Sequence, residues 1–303
     1  MSLWQNTKYK NNYHVFYNTK LRFLIFLFLG LFAFVSCERI ANSVFSDKDD
    51  LEMGASIDKE IRSKPSQFQI LNNLALQKYI QSIVNQLTKS PAIRKKQIYT
   101  YKVTIIDDDK TINAFCTPGG YIYVYTGLLK FLDNEASLAA VLAHEIAHAE
   151  KRHVRQRMLS AMGLQLVLSA ILGGQSSVFQ EMGLQIAGSL ALLSNSRADE
   201  LEADEWGFLY LQSSPYYQGA MSYFFQKIAK QEKSSKFNKT IESLLSTHPI
   251  PEERLRANTE RIKKHKVKPP SPSNLLETRY KKELRKQLKR GSTIYGEPIE
   301  DRG

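Results

Sequence analysis

Residues 133–158 read DNEASLAAVLAHEIAHAEKRHVRQRM, and the fold turns on whether this stretch is a solvated rod or a buried helix carrying chemistry. Asp133 can cap its start, acids occupy its first turn, and Lys151, Arg152, Arg155 and Arg157 crowd its end, the charge order a helix dipole favours. No Gly or Pro interrupts it. Leu138 to Ala143 is wholly apolar, so the pattern predicts one uninterrupted, buried helix. On such a helix His144 and His148 project together, one turn apart, while Glu145 sits one step round. The segment HEIAHAEKRH, 144–153, holds three of the chain's six histidines. His153 follows His148 by five residues, points off the shared face on a continuous helix, and reads as a surface side chain.

Two imidazoles at this spacing suit a metal as well as a pair of satisfied core histidines. Zinc takes His nitrogens at about 2.0–2.1 Å, and its catalytic sites use three protein ligands with a fourth place left for water. A glutamate beside the first His can accept the proton of metal-bound water and pass it to a leaving amine. The third ligand must come from elsewhere. LLSNSRADELEADEWGFLYL, 192–211, reads as another helix and offers Asp199, Glu200, Glu202, Asp204 and Glu205. Acids this dense commonly form a solvated face. Glu200 and Asp204 nevertheless lie one turn apart, so one can bind a metal while the other orients a ligating imidazole.

The flanking segments set the fold class. SDKDDLEMGASIDKEIRSK (46–64) and NLALQKYIQSIVNQLTK (73–89) carry helical spacing and caps, whereas YTYKVTIID (99–107) and GYIYVYTGLL (120–129) are β-type runs joined through the turn chemistry of TPGG, 117–120. A mainly α-helical domain with a small β-sheet, α+β in class, is the expectation.

Composition adds a location. The chain has 303 residues and a formal net charge of +12. Twelve basic and two acidic residues fall between Arg261 and Arg290, so most of the excess sits in a tail and argues against nucleic-acid binding by the body. Residues 1–22 carry Lys8, Lys10, Lys20 and Arg22 without an acid, and Phe23 to Val35 runs apolar. Thirteen apolar residues suit a signal-peptide core rather than a bilayer span, which wants about 20. Cys37, after Phe34-Val35-Ser36, resembles the lipidated cysteine of a bacterial lipobox, with a plain signal peptide or an uncleaved anchor as the other readings. The expected layout is therefore a signal peptide over 1–36, a lipidated N-terminus and tether over 37–45, a catalytic domain over 46–262, and a basic Pro-containing linker and C-terminal helix over 263–303. That last helix, Leu275 to Arg290, aligns Leu276, Tyr280, Leu284 and Leu288, a stripe that can rest on anionic lipid, dock on the body or stay solvated. The stretch 158–193 is uncharged from Met158 to Gln180 and reads as a helical hairpin acting as a lid or plug over the site, with a re-entrant membrane dip as the other reading.

HEIAH (144–148), SRADELEAD (196–204), STHP (246–249) and EERL (252–255), preceded by INAFCTPGGYIYVYTGLL (112–129), together resemble metallopeptidase family forty-eight over roughly residues 50–261. The resemblance implies a zincin, gluzincin-like metalloprotease domain holding one Zn2+ per chain through His144, His148 and Glu200. It implies Glu145 as general base, Asp204 as the carboxylate behind a ligating imidazole, and His248 and Arg254 lining the active site and steadying an oxyanion. It also places an extended substrate peptide on an edge formed by Asn113, Ala114 and Phe115 and by Gly120, Tyr121, Ile122 and Tyr123. The implied function is an endopeptidase that attacks peptide bonds of unfolded, misfolded or misassembled cell-envelope proteins through a metal-bound water, from a lipid-anchored, periplasm-facing position in a bacterial envelope. An envelope chaperone with latent proteolysis is the alternative class. No 34-residue period follows Arg261, so a helical-repeat domain of the kind some members carry is not expected.

Overall fold

The structure is a computed structural model that describes residues 45–160, 194–231, 235–249 and 252–288. The chain divides into the units Met1–Ser46 and Asp47–Gly303, and of the first only Phe45 and Ser46 are described. The expected signal peptide, Cys37, nearly all of the 158–193 hairpin and the last residues of the tail lie outside the described residues.

Helix α1 (Asp47–Ser63) and helix α2 (Leu74–Leu87) lie where their patterns predict. Asn73 caps α2 by accepting a hydrogen bond from the Leu76 amide at 3.0 Å, which leaves Leu76, Ile80, Ile83 and Leu87 free to bury one face. Strands β1 (Lys102–Ile106), β2 (Ala114–Thr117) and β3 (Tyr121–Tyr125) form one sheet in the order β1-β3-β2. β3 pairs parallel to β1 and antiparallel to β2, with Val103 opposite Ile122 and Phe115 opposite Tyr123. The turn from β2 to β3 needs Gly119 and Gly120, whose φ angles of 75° and 86° are open to glycine. The expected mainly α fold with a small sheet is what the chain forms.

β3 therefore occupies the middle of the sheet, which corrects the expectation that Gly120 to Tyr123 form an edge. Both sides of its backbone are taken by ladders, and the Tyr123 side chain stacks on Phe115 at 4.7 Å and donates a hydrogen bond to Asp58. β1 and β2 are the two outer strands: Ile70 bridges to Ile106 beyond β1, whereas β2, with Ala114 and Phe115, pairs only with β3 among the described residues.

A short helix α3 (Thr126–Phe131) leads into helix α4 (Glu135–Glu150), all sixteen residues of which are buried. Asn134 rather than Asp133 caps α4, accepting from the Ser137 amide at 2.8 Å. α4 stops at Glu150. Lys151 and Arg152 turn, Arg152 takes a left-handed φ of 62°, and a second helical segment runs over 153–160, so the predicted single helix is two. Arg152 is braced there by Asp47 at 2.5 Å and Asp50 at 2.9 Å.

Helix α5 (Arg197–Gln212) lies along α4. Ser196 and Asp199 form a reciprocal capping box at its start. Glu200, Asp204, Gly207 and Leu211 recur at helical spacing on its buried side, so the carboxylates face α4. A Cβ on Gly207 would stand 3.2 Å from the His144 amide nitrogen, and this close approach lets short acidic side chains span the gap between the helices. Helices α6 (Met221–Gln231), α7 (Ser235–Thr247) and α8 (Glu252–Lys264) close the other side, followed by the single turn α9 (Pro272–Leu275) and helix α10 (Glu277–Gln287).

α10 docks on the body. Tyr280 and Leu284 are 0% and 2% exposed, the Tyr280 hydroxyl donates to the Leu129 carbonyl at 2.6 Å, and Asn73 holds the Gln287 carbonyl at 2.8 Å. The middle of the apolar stripe is spent on α2 and α4 rather than on lipid. Leu284→Ala should therefore lower the unfolding free energy by about 2–5 kcal/mol. The urea midpoint reads this; an unchanged midpoint would mean that α10 is not part of the cooperative unit.

Candidate metal centre

Where the buried faces of α4 and α5 meet, His144, His148 and Glu200 are joined by His248 from the end of α7, and one donor atom from each of the four lies within 4.8 Å of the others. His144 and His148 converge because residues four apart share a helix face, and their Nε2 atoms stand 2.9 Å apart. The Glu200 carboxylate completes the group, its Oε2 3.4 Å from His144 Nε2 and its Oε1 3.2 Å from His148 Nε2. Tetrahedral ligands at 2.0–2.1 Å from zinc stand about 3.3 Å from one another, so the spacing of the two imidazoles and the carboxylate suits such a site. Charge fits as well: the carboxylates of Glu145, Glu200 and Asp204 are all buried around this point, a concentration of acid that favours a cation, and Arg254 is ion-paired to two of them. The residues present fit a divalent ion.

Each donor is held from behind. His144 Nδ1 faces Asp204 at 3.0 Å, which leaves Nε2 directed at the common point. Arg254 grips both Asp204 oxygens at 2.7 Å, meets Glu200 at 2.5 Å and donates to the Pro249 carbonyl at 2.8 Å. Its guanidinium is thus committed to the two α5 carboxylates. His248 Nδ1 stands 3.0 Å from Glu200 Oε1 and 3.0 Å from the Asn195 amide, while its Nε2 reaches to 3.6 Å from Glu145. Asn195 also binds the Thr247 carbonyl through its backbone and its side chain, both at 3.0 Å, fixing the His248 backbone to the start of α5.

These positions shift the ionisable groups in different directions. Burial alone would depress the His144 imidazole, but Glu200 and Asp204 outweigh it and lift its pKa to about 9. His148 is held well below the ordinary histidine value by burial and then by the neighbouring His144 charge. Burial opposes charge on Glu200 too, yet His248, His144 and Arg254 keep its carboxyl well below the usual range. Glu145 goes the other way, because burial pushes its carboxyl up further than His248 and His144 pull it down. Glu200 is thus held as an anion and Glu145 is tuned to exchange a proton.

The residues singled out in the sequence for metal and acid–base chemistry, His144, Glu145, His148, Glu200, Asp204, His248 and Arg254, all meet here and are all buried. Two small cavities border Glu145, one lined also by Ala114 and the other by Phe115 and Cys116, so β2 borders the site. Asn113 is buried, its amide donating to Ser243 and its oxygen accepting from the Ala114 amide, both at 2.9 Å. His153 is the correction. It is only 2% exposed, and its Nδ1 stands 2.9 Å from His148 Nδ1, because the turn at Lys151 and Arg152 resets the helical phase. Asn195 and Arg157 line the cavity beside Phe115 as well; Arg157 was read only as part of the basic helix end, and Asn195 carried no sequence signal.

The model of peptidase family M48 matches residues 74–262. The chain belongs to peptidase family M48. Family membership makes this stretch a metalloendopeptidase domain, a class that works with a divalent metal. The chain is 30% identical over 243 residues to the beta-barrel assembly-enhancing protease of Yersinia pestis, covering 77% of this chain and 48% of that protein. It is 32% identical over 148 residues to the mitochondrial metalloendopeptidase OMA1 of Arabidopsis thaliana, which is 48% of this chain and 28% of that one. With the metalloprotease LoiP of Escherichia coli it shares 30% identity over 176 residues, 57% and 66% of the two chains. This M48 chain thus spans about half the length of the beta-barrel assembly-enhancing proteases it matches.

Proposed function

We propose that the protein is a zinc-dependent endopeptidase that hydrolyses peptide bonds in misfolded or misassembled proteins of a bacterial cell envelope. The observation that carries this reading is the convergence of His144, His148 and Glu200 with Glu145 beside them on α4. A zinc ion bound there, one per chain, would supply Lewis-acid polarisation of the scissile carbonyl and acidify the attacking water. Glu145 takes a proton from that water and returns it to the leaving amine. His248, with Nε2 turned toward Glu145, stands on the side where negative charge develops and steadies it. Arg254 holds Glu200 and Asp204 in place and also lines the cavity with Glu145 and His248, where it joins His248 in steadying the charge.

The substrate lies extended along β2, an outer strand of the sheet, with Ala114 and Phe115 each lining a cavity that Glu145 also borders. Backbone pairing of this kind accepts many side chains, which suits unfolded clients. The envelope setting rests on the charged and apolar lead ending at Cys37, read as a signal peptide and lipid anchor facing the periplasm, and on relatives named for β-barrel assembly. No helix among the described residues is long and apolar enough to cross a membrane. No nucleic acid is assigned as a partner. Incubating the protein with casein or an unfolded outer-membrane protein tests the reading. Cleavage should stop on chelation and return with zinc; cleavage indifferent to chelator would sink it, and binding without any cleavage would favour a chaperone.

A further inference from the structure

We infer that His153 is a positioning residue for His148, fixing its ring and tautomer through a hydrogen bond between the two Nδ1 atoms. The inference rests on the reading that His144, His148 and Glu200 hold the metal. The two Nδ1 atoms are 2.9 Å apart, and the His153 Nε2 lies 3.2 Å from Glu202 Oε2 and 3.8 Å from Asp199 Oδ1. Two nitrogens this close cannot both carry protons, so one donates and the other accepts. His148 must keep Nε2 bare to ligate, since that atom faces His144 Nε2 and Glu200. Its proton is then on Nδ1, which donates to His153 Nδ1. His153 in turn carries its proton on Nε2 and donates to Glu202. His148 and His153 thus donate in one direction, away from the metal side and out to the accepting Glu202 carboxylate.

The two ligating imidazoles differ in what stands behind them, a carboxylate for His144 and a second imidazole for His148. The fold places His153 deliberately. It opens the segment 153–160 after the left-handed turn at Arg152, and Asp47 and Asp50 of α1 brace that turn. The rival explanation is that His153 only fills space, its ring meeting that of His148 edge-on at 5.0 Å.

Substitutions separate the two. His153→Phe keeps the ring volume and removes the acceptor, whereas His153→Asn loses volume but can offer Oδ1 near the place of Nδ1. Zinc affinity of the full chain, measured by competition with a chromogenic chelator, should fall 10–100-fold for His153→Phe and stay within a few-fold of wild type for His153→Asn. The visible spectrum of the cobalt-loaded protein should change in the Phe variant and not in the Asn variant. Circular dichroism of the zinc-free proteins establishes that both fold. His153→Phe binding as tightly as wild type, or a folded His153→Asn as weak as Phe, would overturn the positioning role. A folded wild type that takes up no zinc would instead overturn the metal reading, and this inference with it.

Discussion

Glu145→Gln should lower kcat on an unfolded protein substrate by about 10²–10⁴-fold while leaving the metal content of the protein unchanged. The substitution preserves shape and removes the proton acceptor. Glu145 follows His144 on α4, so it borders the metal donors without being one of them, and it is 2% exposed. Burial raises its carboxyl above the ordinary glutamate value, and raising a base toward the working pH improves its proton transfer. Because the donor triangle of His144, His148 and Glu200 is untouched, metal analysis and zinc affinity should match wild type. Capture of unfolded chains should persist as well. A loss below tenfold would remove Glu145 from the role of base, and a loss of metal would show that it belongs to the coordination sphere.

The parts of this site that were readable in the sequence are those whose geometry is local. His144 and His148 need only an unbroken helix between them, and α4 supplies it. Glu200 and Asp204 share a face for the same reason. What no periodicity reveals is that the two faces meet at the right depth, which depends on Gly207 admitting the α4 backbone. His153 was misread for a definite physical reason. Its phase follows from a straight helix only while φ stays negative, and the left-handed Arg152 resets it within one residue. The sheet was half legible: β1 and β3 carry β-branched and aromatic runs, but β2 is the four-residue AFCT, and only the pairing register shows that it, not β3, lies at the edge. Arg254 and His248 were located through the family motifs, and their contacts came from packing. A single residue can be found by motif while its partner is settled by tertiary structure alone.

Glu200→Gln should cost the protein its metal, with bound zinc falling from about one per chain to a small fraction and activity falling with it. The amide still fits between α4 and α8 but carries no charge. A carboxylate is a far better zinc ligand than a neutral amide, so the loss should exceed the 10–100-fold that removal of an outer hydrogen-bond partner produces. The same change strips Arg254 of one of its two ionic partners, leaving a guanidinium 2% exposed with Asp204 alone. Breaking a buried pair commonly costs about 3–5 kcal/mol, so part of the defect is structural. Asp204→Asn distinguishes the two contributions. It also removes a charge beside Arg254, but it leaves the three donors in place and weakens only the support behind His144 Nδ1. If zinc affinity drops 10–100-fold in Asp204→Asn and far more in Glu200→Gln while both lose similar stability, the carboxylate at position 200 acts on the metal directly. Equal losses of affinity would place Glu200 outside the metal's contacts and leave His144 and His148 without their third ligand.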